Sequence, residues 1–475
     1  MTDLSRAGVA ETAQRISDGD LTSRVVLEEA LARIRAADPG LNAFSLVLAD
    51  EARAEATARD QQLASGGPLG PLHGVPIAVK DEIDVAGTVT THGGQANSTP
   101  VAADAELVRR LRAAGAVIVG KTNMPEFGAF PYTESSSRGV TRNPWDRTRT
   151  PGGSSGGTAV AVAAGLVPAG IGGDGGGSIR IPSACCGLFG LKPQRGRVSF
   201  APQPHLWWAL GTAGPLTRTV LDSAIVYDVI RGSLETDLFR AGDAPSFTEA
   251  AQRKPGRLRI GWTTKPVTLG VRPDPVHVRA VADAARLLTD LGHDVREIDP
   301  HYPDPTAAFV PQWFGGLRTE SDLVEHFDRL ERRTRETYRL GAWVRPRVLD
   351  WALAATEKVS AKANRVFDDC DVLLTPAIAH RPPRIGRLDG VGTVGAALRA
   401  MPAIAYAALW NVAGNPAASV PWGVATDGLP VAVQLVGRTD DEPTLLSLSA
   451  QIEQARPWPL IAGDGGRVGV AAQGG

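Results

Sequence analysis

Three serines, Ser154, Ser155 and Ser178, lie in a glycine-rich stretch from Thr150 to Gly190, where eleven of the thirty residues from Gly152 to Ile181 are glycine. Glycine lets backbone approach other groups closely and adopt positive φ, and hydroxyls at such points can serve as nucleophiles or proton relays. An alanine–valine run inside the stretch reads as buried helix, which argues against a flexible linker. Two chemistries compete: a phosphate cradle and a backbone-lined catalytic pocket. A Walker-type loop needs Lys then Ser or Thr after its last glycine, whereas Thr158 and Ala159 follow Gly157. The dinucleotide fingerprint wants an acid about twenty residues on, but Asp174 sits inside a second glycine cluster. The catalytic pocket is the better reading. None of the eight histidines falls in a recognisable triad or metal-ligand spacing, although triad partners can be distant in sequence. Cys186 lies in an apolar, glycine-rich setting without a nearby histidine and reads as packing.

The string GGSSGG, an alanine-rich helix, D-x-G-G-S-I-R-x-P and C-G-x-x-G-x-K-P closely resemble the amidase signature family. Further blocks agree in order: LHGVPIAVKD (Leu72 to Asp81), GKTNMPEF (Gly120 to Phe127), TRNPWD (Thr141 to Asp146), and GNPAASVP and GLPVAVQLVG near the C-terminus. The resemblance covers about nine tenths of the chain. It implies an α/β/α sandwich with a large mixed, mostly parallel sheet covered by helices on both faces, and hydrolysis of a small-molecule carboxylic amide without metal or cofactor. Ser178 would be the nucleophile that forms an acyl-enzyme, Ser154 the bridging serine, and Lys80 the ultimate base. The 24-residue interval from Ser154 to Ser178 is the family's own. Backbone amides of Gly175, Gly176, Gly177 and Ser178 would form the oxyanion hole, and the bond before Ser154 would be cis. Ser155, Asp174 and Arg180 would support this network.

A lysine acts as base only when neutral, which at neutral pH asks for about 4 kcal/mol of differential stabilisation. Burial supplies that order of shift. Lys80 is therefore expected to be dry and free of a close carboxylate, and pairing with Asp81 or Asp174 would quench it. The chain departs from the family pattern at Gly173 (commonly Ser or Thr), Gly175 (Thr or Ala), Ser183 (Ala) and Gln194 (Thr). No departure removes a catalytic group, but the first two flank the acyl site.

The elements that would position these groups follow from periodicity. Leu27, Leu31 and Ile34 recur at helical spacing, with Asp38-Pro39-Gly40 as the stop, and a second helix is expected over Asp50 to Leu63. Ile77 to Val79 read as a buried strand ending at Lys80. DAELVRRLRAAG reads as a helix stopping at Gly115 and is followed by a strand from Ala116 to Val119, an α/β rather than all-α pattern. Residues 233–256 read as a surface connection. Strands over Leu258 to Trp262 and Val295 to Ile298, around a helix ending at Gly292, continue the alternation. The expected organisation is one domain over 1–461. It comprises a helical layer (1–70), a signature core (71–232), and a second half (256–461), followed by a disordered tail at 462–475. Within the second half, residues near 300–365 concentrate Phe309, Trp313, Phe314, Trp343 and Trp351 among many charges and read as a helical insertion beside the mouth of the core.

Composition bounds the rest. At 43% hydrophobic residues, with glycine and proline under a fifth of the chain, a globular protein is expected. The near balance of 50 basic and 51 acidic residues lacks a nucleic-acid footprint. No run of apolar residues spans a bilayer, no signal-peptide core precedes the first helix, and three cysteines do not make a disulfide framework, so a cytoplasmic protein is expected. Dimers are common in the family, which admits a homodimer. Trp207-Trp208 and Trp313-Phe314 are candidate pocket residues and favour an apolar or aryl acyl group. The alternatives are the glutaminase component of a tRNA-dependent amidotransferase, which would come with a partner protein, and a non-catalytic binding protein on the same fold.

Overall fold

The computed structural model describes residues 4–463, so the expected tail lies, from 464 on, outside the described residues. The strands in chain order are β1 (Phe44–Val47), β2 (Pro76–Lys80), β3 (Val117–Thr122), β4 (Glu134–Ser135), β5 (Gly139–Val140), β6 (Ala169–Gly173), β7 (Phe189–Lys192), β8 (Ala213–Thr217), β9 (Arg259–Trp262), β10 (Asp294–Glu297), β11 (Val372–Pro376), β12 (Ala417–Val424) and β13 (Pro430–Gly437). Apart from the small β4–β5 pair they form one eleven-stranded sheet in the order β1-β3-β2-β6-β8-β7-β12-β13-β11-β9-β10. Strands of the first half occupy one side, those of the second half the other, and the antiparallel pair β7–β12 joins them. Parallel pairing prevails in the two wings, β3-β2-β6 and β11-β9-β10, where helices make the crossovers. Antiparallel pairing prevails in the centre.

The strands are buried on both faces, as continuous apolar runs such as Pro76-Ile77-Ala78-Val79 demand. Successive side chains point to opposite faces. Ile77, Val79 and Ile118 enter one apolar cluster with residues of the helices Glu106–Ala113, Val220–Ile230 and Pro275–Asp290. Ala78, Val117 and Val119 enter another with Ser23–Leu41, Ala49–Ala64 and Gly156–Ala163. Helical layers thus cover both faces. Among the described residues no helix is long and apolar enough to cross a membrane.

Two local expectations need correction. The first long helix runs through Asp38-Pro39-Gly40 to Leu41 and ends at Asn42, whose φ of 56° is left-handed. Pro39 forgoes the bond its amide would have made to Arg35, and the helix end is held by the Asn42 amide on the Asp38 carbonyl at 2.7 Å and the Ala43 amide on the Asp38 carboxylate at 2.6 Å. The connection at 233–256 contains a helix, Phe247–Gln252, with Phe247 wholly buried. The Asp228 carboxylate gathers its first amides, Phe247 at 2.9 Å and Thr248 at 2.8 Å, and Ser246 caps Glu249.

Residues 300–365 are mostly helical, with helices Thr306–Asp322, Arg332–Leu340 and Pro346–Ala363. The first of them reaches the mouth of the sheet. The segment is pinned to the loop after β3, because the Glu126 carboxylate accepts from the Glu331 amide at 2.9 Å.

Candidate active site

Lys80 is the last residue of β2, and β6, its parallel neighbour, ends at Gly173 and feeds the loop Asp174 to Ser178. Carboxyl ends of adjacent parallel strands are where open α/β sheets place ligands. The Lys80 side chain, 1% exposed, donates from Nζ to Ser154 Oγ at 2.8 Å. Ser154 enters through a cis Gly153–Ser154 peptide, as the resemblance implies. Gly128, at φ 65°, backs onto it so closely that a Cβ would lie 2.8 Å from Ser154 Oγ, so only glycine fits. Ser155 Oγ donates to the Gly173 carbonyl at 3.1 Å and accepts from its amide at 3.3 Å, fastening the end of β6 to the helix Gly156–Ala163.

The expectation that Lys80 is free of acids holds for the two that sequence singled out and fails for a third. Asp81 faces away and pairs with Lys121 at 3.2 Å, and Asp174 pairs with Arg180. The Glu82 carboxylate, however, brings Oε1 to 3.1 Å from Lys80 Nζ, with only 8% of the Glu82 side chain exposed. That oxygen receives no aligned hydrogen bond, so the contact is charge proximity, and the directed bond of Lys80 goes to Ser154. Burial pushes the Lys80 pKa below the ordinary lysine value and outweighs the opposing pull of Glu82 and Asp174.

Ser178 lines the same cavity as Lys80 and Ser154, together with Gly175 and Gly176. Gly177 differs: its amide donates to Asp174 Oδ1 at 2.7 Å, which removes it from the set of free oxyanion donors expected from sequence. The Asp174–Arg180 pair is fully buried and bidentate, with Nε to Oδ2 and Nη2 to Oδ1 both 3.0 Å. Burial alone would raise the Asp174 pKa, but the Arg180 guanidinium and the Asn411 amide hold it well below the carboxylate range. Asp174 also accepts from the Ile179 amide at 3.1 Å, and Arg180 reaches Gln434 Oε1 at 2.9 Å and Asn411 Oδ1 at 2.6 Å. This cluster ties the serine loop to β13 and the helix Ala408–Ala413. Burial pushes the Cys185 thiol up to about 12 and raises Cys186 well above its ordinary value, which keeps both protonated.

The cavity measures about 460 Å³ and is walled mainly by aromatic and aliphatic side chains; Lys80 and Glu82 are its charged lining residues. Trp207, Trp313 and Phe314 line it. Trp208 does not: it turns away and stacks on His205, with ring centroids 4.4 Å apart. Trp207 and Trp208 both have left-handed backbone, φ 50° and 59°, rare for bulky residues and characteristic of functional sites. The Trp207 ring is held between two glycines, since a Cβ on Gly175 would lie 3.4 Å and one on Gly316 3.0 Å from its atoms. Sequence reasoning missed Glu82 and Asn411 as site residues and named Phe309 only as one of the aromatics of the segment beside the mouth of the core. Phe309 belongs to the aromatic-rich segment and presses on the serine loop, since a Cβ on Gly176 would lie 3.3 Å from its ring. Trp343 and Trp351 of that segment are about half exposed and lie outside the cavity. Among the described residues no cluster of His, Cys, Asp and Glu could hold a metal ion.

Comparison with known proteins gives this geometry its relatives. The model of the Amidase family matches residues 25–446. The protein AmiB2 of Mycobacterium tuberculosis (strain ATCC 25618 / H37Rv) is 50% identical over 459 residues, 96% of this chain and 98% of that protein. A glutamyl-tRNA(Gln) amidotransferase component from Roseiflexus castenholzii is 36% identical, covering 98% of this chain and 100% of that one. Among solved structures, 6-aminohexanoate cyclic dimer hydrolase complexed with substrate superposes with a TM-score of 0.90 at 31% identity, covering 96% and 98% of the two chains. A bacterial aryl acylamidase of the amidase signature family gives 0.85 at 29% identity, covering 95% and 96%. With a family match over most of the chain and relatives that cover nearly its whole length, the chain belongs to the amidase signature family and is a hydrolase of carbon–nitrogen amide bonds.

Proposed function

We propose that the protein hydrolyses a small carboxylic amide with an apolar or aryl acyl group through an acyl-enzyme on Ser178. The observation on which this rests is the buried 2.8 Å contact between Lys80 Nζ and Ser154 Oγ at the wall of an apolar cavity that Ser178 also lines. Ser178 Oγ attacks the carbonyl carbon while its proton passes to Ser154, and the Ser154 proton passes to neutral Lys80. The amides of Gly175, Gly176 and Ser178 face the developing oxyanion. Collapse of the tetrahedral adduct breaks the C–N bond, and the proton returns through Ser154 to the departing amine. Water then repeats the sequence in place of the serine and releases the acid. Asp174 and Arg180 hold the serine loop in register.

The apolar walls support the acyl preference, because a buried methylene contributes about 0.8 kcal/mol and a polar group entering such a site unpaired costs binding energy. They also rank the glutaminase reading lower, despite the amidotransferase relative, since a glutamine head group asks for polar and charged partners. The test is a panel of aryl, aliphatic and amino-acid amides with the purified parent and Ser178→Ala. Turnover of aryl amides by the parent and its loss in Ser178→Ala are expected. Retained activity in the variant, or glutamine as the best substrate, would overturn the proposal.

A further inference from the structure

We propose that Glu82 is a positioning residue for the reaction: its carboxylate, lodged in the space that Gly173 leaves open, holds the Lys80 amine beside Ser154. The inference rests on the reading of Lys80 as base. Three observations converge on it. Glu82 Oε1 is 3.1 Å from Lys80 Nζ, and both side chains are more than nine-tenths buried. A Cβ on Gly173 would lie 2.1 Å from Glu82 Oε1, so the carboxylate fits only because that position lacks a side chain. Both Lys80 and Glu82 line the cavity beside Ser178 and are its charged lining residues.

The surrounding charges leave this pair as the local unit. Asp174 is neutralised by Arg180, and Asp81 by Lys121. From the helix Thr306–Asp322, Glu320 adds a carboxylate whose own pKa burial raises, with Glu82 and Asp84 pushing in the same direction and His92 opposing. Lys80 thus has two neighbours with opposite effects. The Ser154 hydroxyl needs a neutral amine to accept its proton, while the Glu82 carboxylate favours the ammonium. A negative group at such a distance raises the pH at which an amine becomes neutral by about one to three units. Glu82 therefore sets the acid limb of activity higher than burial of Lys80 alone would, and it fixes the amine beside Ser154.

The measurement is the pH dependence of kcat/KM, which reports the free enzyme's essential base, for the parent, Glu82→Gln, Gly173→Ala and Lys80→Ala. Glu82→Gln preserves shape and removes charge. Its acid limb is expected to move down by at least about one pH unit, which below the limb is a gain of about tenfold or more in kcat/KM relative to the parent. Gly173→Ala, which must displace the carboxylate, is expected to move the limb the same way and keeps the test open should Glu82→Gln not fold. A limb unmoved or moved upward in the folded variants overturns the role of Glu82. Loss of activity at every pH in Lys80→Ala leaves the underlying reading intact in that event, whereas an active Lys80→Ala refutes the reading itself.

Discussion

Asp174→Asn removes the charge from the most enclosed ion pair around the site and tests whether that pair holds the serine loop. Asp174 and Arg180 are both 0% exposed, and the carboxylate takes two bonds from the guanidinium, one from the Gly177 amide at 2.7 Å and one from Ile179 at 3.1 Å. Stripping one partner from a buried pair costs about 3–5 kcal/mol, because the other charge stays buried without compensation. Arg180 keeps Gln434 Oε1, Asn411 Oδ1 and the Ala407 carbonyl as acceptors, so the lower end, about 3 kcal/mol, is expected. Urea unfolding midpoints followed by circular dichroism and fluorescence would read the loss, alongside kcat/KM on the best amide. The folded pKa of Asp174 is depressed, so its stabilisation is fully present above the usual carboxylate range and disappears only as pH falls through the lowered value. The double variant Asp174→Leu with Arg180→Met should lose less stability than either single change, since no charge is left stranded. An Asp174→Asn protein with parental midpoint and parental kcat/KM would refute the reasoning.

Glu126 has its pKa raised by burial to about 7 from 4.5, so the folded state binds the extra proton and stability falls by about 3 kcal/mol as pH rises through that window. Glu126→Gln should flatten this dependence, and denaturation midpoints at pH 5, 6.5 and 8 that fall as steeply in the variant as in the parent would contradict it. Phe309→Ala should lower kcat/KM for an aryl amide by about tenfold or more while leaving acetamide nearly unchanged, given about 1.5–3 kcal/mol for a buried phenyl ring; equal losses for both amides would remove Phe309 from the acyl wall.

Periodicity made much of the scaffold legible. Ile77 to Val79 fall on buried β2, and Leu107, Val108 and Leu111 face the core from one helix because the 3.6-residue repeat puts them on one side. Punctuation was less dependable. Asp38-Pro39-Gly40 lies within a helix because the Asn42 and Ala43 amides close its end on the Asp38 carbonyl and carboxylate despite Pro39, and Phe247 was hidden in a polar stretch although Ser246 and Glu249 spell a capping signal. At the site, glycine content drew attention to the serines, the resemblance to the amidase signature family singled out Lys80, Ser154 and Ser178, and no strand alternation reaches Glu82. β2 ends at Lys80 and a turn follows, closed by the Ile83 amide on the Lys80 carbonyl at 3.0 Å, and that turn sets Glu82 beside Lys80 while the adjacent Asp81 pairs with Lys121. Phe309 and Asn411 meet the glycine loop from more than a hundred residues away, and no local pattern encodes such encounters.

Lys80, Ser154 and Ser178, the residues of the proposed proton path, come from segments between β2 and the helix Arg180–Cys186, whereas Phe309, Trp313 and Phe314 arrive from the helix Thr306–Asp322. The reagent and a good part of the mould therefore come from different stretches of polypeptide. Substitutions in the later stretch can re-cut the mould for new guests while the reagent stays as it was, so a lineage can diversify its diet without relearning its chemistry.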